Sequence, residues 1–388
     1  MIEAQESSTG RRVRLGMVGG GQGAFIGAVH RIAARLDDRY EFVAGALSSK
    51  ADRALASAAE LGLDPERSYT NYQDMAQAEA DRVDGIEAAA IVTPNHVHYP
   101  AAKAFLEAGI HVICDKPMTV TSEEGDQLVA LAKARGLILA VTYNYTGYPM
   151  VRQARAMVAN GDLGRIRLVQ VEYVQDWLSE DIESTGQKQA AWRTDPARSG
   201  AGGAIGDIGT HAYNMACFVS GLEAESLCAD LSSFVAGRRL DDNAQVMLRY
   251  PDGVRGMLWA SQVAPGNENN LMVRIYGEKG GLSWRQEDPN CLTWAPLGEA
   301  PRQITRGGPG SDGNAGRVTR IPAGHPEGYL EAFSTIYSEV AEAILAARGH
   351  GTAGQGVMFP TGEDGVKGVR FVEAVVESNR ANSAWVDL

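Results

Sequence analysis

A carboxylate and an imidazole lie four residues apart in the sequence, at Asp207 and His211, within and just after a glycine-rich stretch at 200–209. On a helix, residues at this spacing project from the same face one turn apart, so Asp207 can orient the histidine. Because an imidazole exchanges protons near neutral pH, His211 suits a general base that acts on an alcohol. The alternative is a core histidine on an apolar helix. The neighbouring carboxylate and the glycine-rich approach favour the catalytic interpretation.

Two more polar segments each follow a predicted strand. They are Thr-Pro-Asn-His-Val-His at 93–98 and Cys-Asp-Lys-Pro at 114–117. Ligands of doubly wound sheets bind at the carboxyl ends of the parallel strands, where both segments are expected. His96 and His98 could indicate zinc, but no third and fourth ligand stands at a familiar spacing, so we predict no metal site. For Lys116 the alternative to a functional role is a surface ion pair.

A glycine-rich turn follows the first predicted strand. The pattern Gly19-x-Gly21-x-x-Ala24 fits a dinucleotide fingerprint. In that fingerprint one glycine makes the tight turn, the next admits a pyrophosphate and a small third residue allows close helix packing. The start of the following helix then faces the anion. An ordinary glycine turn is the alternative, and the position between a strand and an amphipathic helix favours the nucleotide site.

The end of the second strand of such a domain normally holds the residue that binds the adenosine ribose. Here the sequence has Ser48, Ser49 and Lys50, with Arg53 nearby, and no carboxylate. The serine hydroxyls can bind a ribose hydroxyl and Lys50 can pair with a phosphate, so these residues leave NAD and NADP open. A solvated helix start accounts for Lys50 and Arg53 equally well.

Strands and helices alternate between residues 13 and 145, which predicts an α/β domain with a doubly wound parallel sheet. The predicted strands of this sheet are 13–18, 42–47, 88–92, 110–114 and 137–141. Beyond it, a helix near 150–159 precedes strand-like runs at 165–176, 227–236, 243–250, 254–263 and 271–277. We therefore predict a dinucleotide-binding domain at 1–145 and, at 146–388, an α+β domain with an open, mostly antiparallel sheet.

The last part of the chain carries an unexplained glycine cluster. Of the 45 glycines, 16 fall within three short segments, 16–27, 200–209 and 307–316. The first two accompany the proposed chemistry. The third lies in a Gly/Pro/Arg-rich stretch at 301–324, which predicts an ordered or mobile loop. Helical periodicity follows at 327–347 and 362–379, and we expect both helices to pack back on the first domain.

The composition excludes several classes of protein. With 36 basic and 48 acidic side chains the net charge is −12, and no Lys/Arg cluster appears, so we predict no nucleic-acid partner. No apolar run approaches the roughly 20 residues of a membrane helix, and the first twelve residues are polar. We therefore predict a cytoplasmic protein without membrane contact. The four cysteines show no paired spacing, which indicates reduced thiols.

Taken together, the motifs resemble the Gfo/Idh/MocA oxidoreductases, named for glucose-fructose oxidoreductase and inositol dehydrogenase. The resemblance spans nearly the whole chain. It rests on the glycine fingerprint, Thr-Pro-Asn-x-x-His at 93–98, Asp-Lys-Pro at 115–117 where the family usually has Glu-Lys-Pro, and Gly-Asp-x-Gly-x-His at 206–211. The segments at 19–27 and 324–329 resemble the branch of levoglucosan dehydrogenase and related sugar dehydrogenases. The resemblance implies a Rossmann domain and a nicotinamide cofactor; relatives with the same serine pair favour NAD, and NADP stays open.

The resemblance also implies a role for each motif residue. Lys116, Asp207 and His211 are the expected catalytic residues, and the Lys116-Pro117 peptide bond is often cis in relatives. Asp115 is one methylene shorter than the usual Glu, so the resemblance does not fix whether it contacts the cofactor or Lys116. The expected cofactor-binding residues are Gly19, Gly21, Gln22, Gly23, Ala24, Phe25, Ser48, Ser49, Lys50, Thr93, Asn95, His98, Asp115, Lys116, Asn144, Trp192 and Arg193. The expected substrate-binding residues are Lys116, Tyr145, Asp176, Arg193, Asp195, Asp207, His211 and His325.

We therefore predict an NAD(P)-dependent dehydrogenase that oxidises a ring hydroxyl, C3 being one option, of a pyranose-type sugar, glycoside, anhydrosugar or inositol. The alcohol proton would pass to His211 while hydride passes to nicotinamide. One alternative is an enzyme that retains NAD and cleaves a glycosidic bond through transient oxidation. Another is a sugar- or nucleotide-sensing regulator on the same fold. The family further implies a homodimer or homotetramer.

Overall fold

The computed structural model describes residues 11–388, and they form two compact units. The first unit runs to Gly147 and also contains Tyr329–Val366, whereas the second contains Tyr148–Gly328 and Lys367–Leu388. The predicted division placed everything after residue 145 in the second domain. Residues 329–366, which include the predicted helix at 327–347, cluster with the first unit.

The first unit is built on a parallel sheet of five strands in the order β2-β1-β3-β4-β5. This confirms the predicted doubly wound α/β architecture. The strands are β1 (Val13–Gly19), β2 (Tyr40–Ala46), β3 (Ala88–Val92), β4 (His111–Cys114) and β5 (Leu139–Val141). The helices are α1 (Phe25–Leu36), α2 (Ala51–Glu60), α3 (Tyr72–Ala80), α4 (His98–Glu107), α5 (Ser122–Arg135) and, from the later interval, α11 (Tyr329–Ala347).

Both faces of this sheet are covered, which explains why its strands are apolar without alternation. Leu15 and Met17 of β1 join a buried cluster with α1 and α11, while Val18 joins a second cluster with α3, α4 and α5. Helix α11 contributes a continuous buried stripe to the first cluster, from Phe333 to Leu345. This stripe requires an apolar surface to cover it, and β1 with α1 supplies that surface.

The second unit is built on a nine-stranded sheet in the order β13-β12-β11-β10-β6-β9-β8-β7-β14. Each recorded pairing is antiparallel except that of β6 with β9, so the prediction of an open, mostly antiparallel sheet is confirmed. The strands are β6 (Ile166–Val174), β7 (Ser226–Ser232), β8 (Asn243–Arg249), β9 (Arg255–Ser261), β10 (Asn270–Gly277), β11 (Gly280–Arg285), β12 (Cys291–Pro296), β13 (Arg302–Thr305) and β14 (Val386–Asp387). The helices are α6 (Pro149–Ala159), α7 (Lys188–Arg193), α8 (Pro196–Ser199), α9 (Thr210–Ser220) and α10 (Gly313–Arg317).

The C-terminal helix α12 (Gly362–Arg380), which we expected to pack back on the first domain, is divided between the two units. Its residues up to Val366 cluster with the first unit. Further along, Phe371 stacks on Tyr213 of α9, with ring centroids 4.2 Å apart and planes 2° from parallel. The larger part of the helix therefore packs within the second unit.

The stretch 301–324, for which we predicted an ordered or mobile loop, contains β13 and α10. Arg306, which is 2% exposed, holds it together. Its guanidinium donates to Asn290 Oδ1 at 2.8 Å, to Glu327 Oε1 at 3.0 Å and to the carbonyl oxygens of Ile321, Pro322 and His325. Glu327 in turn accepts the backbone N–H groups of 320 and 321. The loop folds around one buried ion pair.

Two composition-based expectations concern membrane contact and disulfides. Within 11–388, no helix is both long enough and apolar enough to span a bilayer. The four cysteines are free thiols, with Cys114 and Cys228 buried and Cys217 and Cys291 half-buried.

Replacing Arg306 by alanine tests the role of the buried pair. We expect Arg306→Ala to lower the free energy of unfolding by about 3–5 kcal/mol, because Glu327 remains buried without its counter-charge. Arg302→Ala is the matched control, since Arg302 pairs with Glu299 at 2.9 Å on the surface and its loss costs under about 1 kcal/mol. Urea unfolding measures both, and equal losses would contradict the assignment.

Candidate functional site

The turn between β1 and α1 has a backbone that only glycine adopts readily. Gly19, Gly20 and Gly23 have φ angles of 78°, 72° and 74°, in the left-handed region. The turn lies at the carboxyl end of β1, beside β3, where the strand order reverses. Such a switch point opens the crevice in which doubly wound sheets bind ligands, and the N–H groups at the start of α1 face it.

Close backbone approach occurs at different residues from those that the fingerprint predicts. A Cβ on Gly27 would lie 2.3 Å from the Gly20 Cα, so Gly27, rather than Ala24, allows α1 to pack against the turn. A Cβ on Gly21 would lie 2.6 Å from both Leu47 O and Ser57 Oγ. Glycine is therefore required at position 21 because the turn packs closely against the end of β2 and against α2.

Buried polar atoms at the carboxyl edge of the sheet fit a dinucleotide. Thr93 Oγ1, after β3, and Asn144 Nδ2, after β5, are buried and have no hydrogen-bond partner among the residues that the structure describes. Unsatisfied buried groups are costly, so a polar ligand is their natural complement. Together with the glycine turn they supply the hydrogen-bonding groups and open backbone that a nicotinamide dinucleotide needs.

His98 fixes the loops beside these groups. Its Nδ1 lies 2.7 Å from Pro117 O and its Nε2 lies 2.8 Å from Thr93 O. Burial lowers the pKa of His98, while the nearby Asp115 charge and these two carbonyl groups oppose the shift. The ring thus links the segment after β3 to the segment after β4.

The other predicted cofactor residues differ in their exposure to solvent. Ser48 is half-buried, and its hydroxyl accepts the Lys50 N–H at 3.1 Å, while Asn95 is 5% exposed. Phe25 is 70% exposed at the start of α1. The remaining exposed members are Gln22, Gly23, Ser49 and Lys50.

The segment after β4 holds Asp115 and Lys116, both half-buried. The Lys116-Pro117 bond is cis, as the resemblance implies. Asp115 Oδ1 accepts the backbone N–H of Lys116 at 2.9 Å and the hydroxyl of Thr142 at 2.9 Å. These bonds fix the Asp115 side chain to the backbone that carries Lys116.

In the second unit, Asp207 and His211 do not lie on one continuous α-helix. Ile205–Gly209 is a π-helix, and α9 begins at Thr210, so a π-turn and not a regular α-helical turn separates the two residues. Asp207 Oδ2 accepts hydrogen bonds from Arg193 Nε at 3.1 Å and from Gln262 Nε2 at 3.0 Å. His211 is 7% exposed. Single π-turns often occur at functional sites.

Gln262 and Asp241 are two members of this group that the sequence analysis missed. Asp241 accepts the backbone N–H groups of Gly203 at 2.6 Å and Ile205 at 2.8 Å, at the start of the π-turn. Burial raises the pKa of Asp241 to about 6, although both N–H bonds oppose the shift. The signals were weak: a polar residue just after β9 and an acidic pair just before β8.

The other predicted substrate residues are not all brought together. Within the second unit, Arg193 stacks 4.3 Å over the Trp192 ring and joins Asp207, but Asp195 pairs with Arg239 at 2.9 Å. Asp176 accepts the Gly266 N–H, and His325 is exposed on the loop that Arg306 holds. In the first unit, Tyr145 is buried edge-on against Tyr329.

A methyl group at Gly27 tests the turn. We expect Gly27→Ala to push α1 away from Gly20, which destabilises the protein by about 1–3 kcal/mol and lowers NADH affinity on the order of tenfold. Ala28→Gly, on the exposed side of the same helix, is the control: it costs about 1 kcal/mol of helix propensity and leaves NADH affinity unchanged. Fluorescence titration with NADH distinguishes them, and unchanged affinity in Gly27→Ala would contradict the assignment.

Comparison with known proteins gives the same family for both parts of the chain. Residues 13–143 match the oxidoreductase family model with an NAD-binding Rossmann fold, and residues 151–283 match the GFO/IDH/MocA C-terminal domain. An oxidoreductase from Sinorhizobium meliloti is 58% identical, with a TM-score of 0.89, over 97% of this chain and 99% of that one. An inositol dehydrogenase homologue from Azotobacter vinelandii, solved with NADH and myo-inositol, is 36% identical, with a TM-score of 0.92, over 98% and 99%.

A relative that is named for its activity has a lower sequence identity. Levoglucosan dehydrogenase of Pseudarthrobacter phenanthrenivorans is 27% identical over 97% of this chain and 98% of its own length. Because the two family models together span more than half of its residues, this chain belongs to the Gfo/Idh/MocA family of NAD-dependent oxidoreductases.

Proposed function

We propose that the protein oxidises a ring hydroxyl of a cyclic polyol or pyranose-type sugar. The observation that carries this proposal is the group around the π-turn, where Arg193 and Gln262 hold the Asp207 carboxylate shortly before His211. A fixed carboxylate and an imidazole suit a substrate with adjacent hydroxyls, since one can bind a neighbouring hydroxyl while the other takes a proton. Two relatives named for inositol and levoglucosan support this substrate class.

NAD supplies the hydride acceptor when it is bound. His211 accepts the hydroxyl proton as the carbon loses hydride. Lys116 donates a hydrogen bond to the same oxygen and stabilises its developing negative charge. Asp207 orients the substrate and His211. Thr93, Asn144 and the N–H groups of the glycine turn hold the dinucleotide.

Removing the imidazole tests the assigned base. We expect His211→Asn to lower kcat by about 10²–10⁴-fold, because a positioned general base contributes that much, while NADH affinity stays the same. His350→Asn is the control, because His350 is exposed and lies outside the proposed site. Steady-state kinetics and NADH titration measure the two effects, and an unchanged kcat in His211→Asn would refute the role.

The substrate is identified by screening inositols, free pyranoses, glycosides and anhydrosugars with NAD and with NADP, following absorbance of the reduced cofactor. We expect turnover with NAD on at least one cyclic polyol or sugar. Aglycone release without net NADH would instead indicate glycoside cleavage with retained NAD. Binding without turnover of any compound would indicate a sensor.

The exposed face of the second sheet is the proposed self-association surface. Leu168 lies opposite Tyr276, and Met247 opposite Met257; all four are at least 40% exposed. Burying such a face on a second copy removes apolar area from water. We expect light scattering to give at least a dimeric mass and Met257→Glu with Met247→Glu to reduce it. A monomeric wild-type protein would contradict this proposal.

A further inference from the structure

A fully buried histidine in the first unit has no role in the function described so far. His30 lies on α1, is 0% exposed, and its Nδ1 is 2.7 Å from the Tyr337 hydroxyl of α11. Its Nε2 has no hydrogen-bond partner among residues 11–388. The carboxylate of Asp115 lies 4.0 Å from that nitrogen. A buried polar atom directed at the acid beside Lys116 requires an explanation.

The contacts fix which nitrogen carries the proton. Burial lowers the pKa of His30 to about 4, with Asp115 opposing the shift, so the ring is neutral and holds one proton near neutral pH. The tautomer with that proton on Nε2 directs a positive dipole at Asp115, whereas the other would direct a lone pair at the carboxylate. Tyr337 then donates its hydroxyl proton to Nδ1, which satisfies both groups.

The separation of His30 and Asp115 is too long for a hydrogen bond, so their interaction is between a dipole and a charge. It is strong for its length because His30 is buried in apolar surroundings, with Phe333 edge-on at 4.8 Å between ring centroids. Asp115 Oδ1 is already bonded to Lys116 N and Thr142 Oγ1. His30 therefore attracts the remaining oxygen, Oδ2, and acts together with the two bonds on Oδ1 to set the rotation of the carboxylate.

We propose that His30 is a positioning residue, which orients the Asp115 carboxylate and, through it, the backbone of Lys116 for NAD binding and hydride transfer. The proposal rests on the function proposed for Lys116 and Asp115. It assigns Tyr337, on α11, the task of holding the histidine in the required tautomer. In this role His30 itself contacts neither substrate nor reacting atoms.

Two substitutions that remove the ring separate positioning from packing. In His30→Gln the carboxamide nitrogen can occupy the place of Nε2 and keep a donor toward Asp115. In His30→Asn the carboxamide instead matches Nδ1, which keeps a partner for Tyr337 but leaves no donor toward Asp115. Asn is one methylene smaller than Gln, so we expect the thermal unfolding midpoint to fall further in His30→Asn; the NADH Kd of the folded protein separates positioning from this packing loss. We expect the NADH Kd to rise on the order of tenfold in His30→Asn and to stay within about threefold of wild type in His30→Gln.

Tyr337→Phe and an Asp115→Asn background complete the test. Tyr337→Phe removes a hydroxyl without changing ring volume, so it should fold even where the His30 variants do not, and its NADH Kd should rise severalfold. In the Asp115→Asn background, His30→Asn and Tyr337→Phe should have no further effect on NADH Kd. Equal losses in His30→Gln and His30→Asn, or losses that persist without the Asp115 charge, would overturn the proposal. Since NADH binding is measured without substrate, failure to find turnover would refute the proposed function and leave this test decisive.

Discussion

The first unit depends on one close contact, that of the α1 backbone with the turn after β1. No Cβ fits between Gly27 and Gly20, so α1 can pack this closely against the turn after β1 only because both positions are glycine. This approach places the free N–H groups of α1 at the switch point of the sheet. His30, three residues further, lies on the same buried side of the helix. The contact that brings the start of α1 to the switch point therefore also directs the imidazole at Asp115.

The second unit positions its chemistry by another means. The π-turn inserts extra backbone before α9, and Asp241 satisfies two of the N–H groups at its start. Arg193 and Gln262 both donate to one oxygen of Asp207, which fixes the orientation of the carboxylate. The pair with Arg193 is partly exposed, at 25% and 15% of the two side chains, so its value lies in orientation more than in stability. The Arg306 pair, with both partners buried, is by contrast structural.

Local pattern made the strands and the residue types of the site predictable, but partners distant in sequence were not. The apolar runs of β1 and β3 and the Asp-Lys-Pro segment stand out because their signals lie within a few residues. His30 and Tyr337 are 307 positions apart, and neither is unusual in its own segment. The contacts that hold the stretch at 301–324 were not predictable for the same reason, since they arise from one guanidinium that reaches separate backbone carbonyls. The π-turn was missed because a shift of the backbone hydrogen bonds by one residue produces no recognisable change in the apolar periodicity of the sequence.

The distribution of unsatisfied polar atoms links fold to function in the first unit. Leaving a buried polar atom unpaired costs about 1–3 kcal/mol, so a fold retains such atoms where something compensates them. Thr93 Oγ1, Asn144 Nδ2 and His30 Nε2 are three such atoms. The first two follow strands at the carboxyl edge, where doubly wound sheets bind their ligands, and the third faces a carboxylate at that same edge. A core built for stability alone would hold apolar groups at these positions. Polar groups there indicate that part of the folding free energy is given up to keep the site ready for its cofactor.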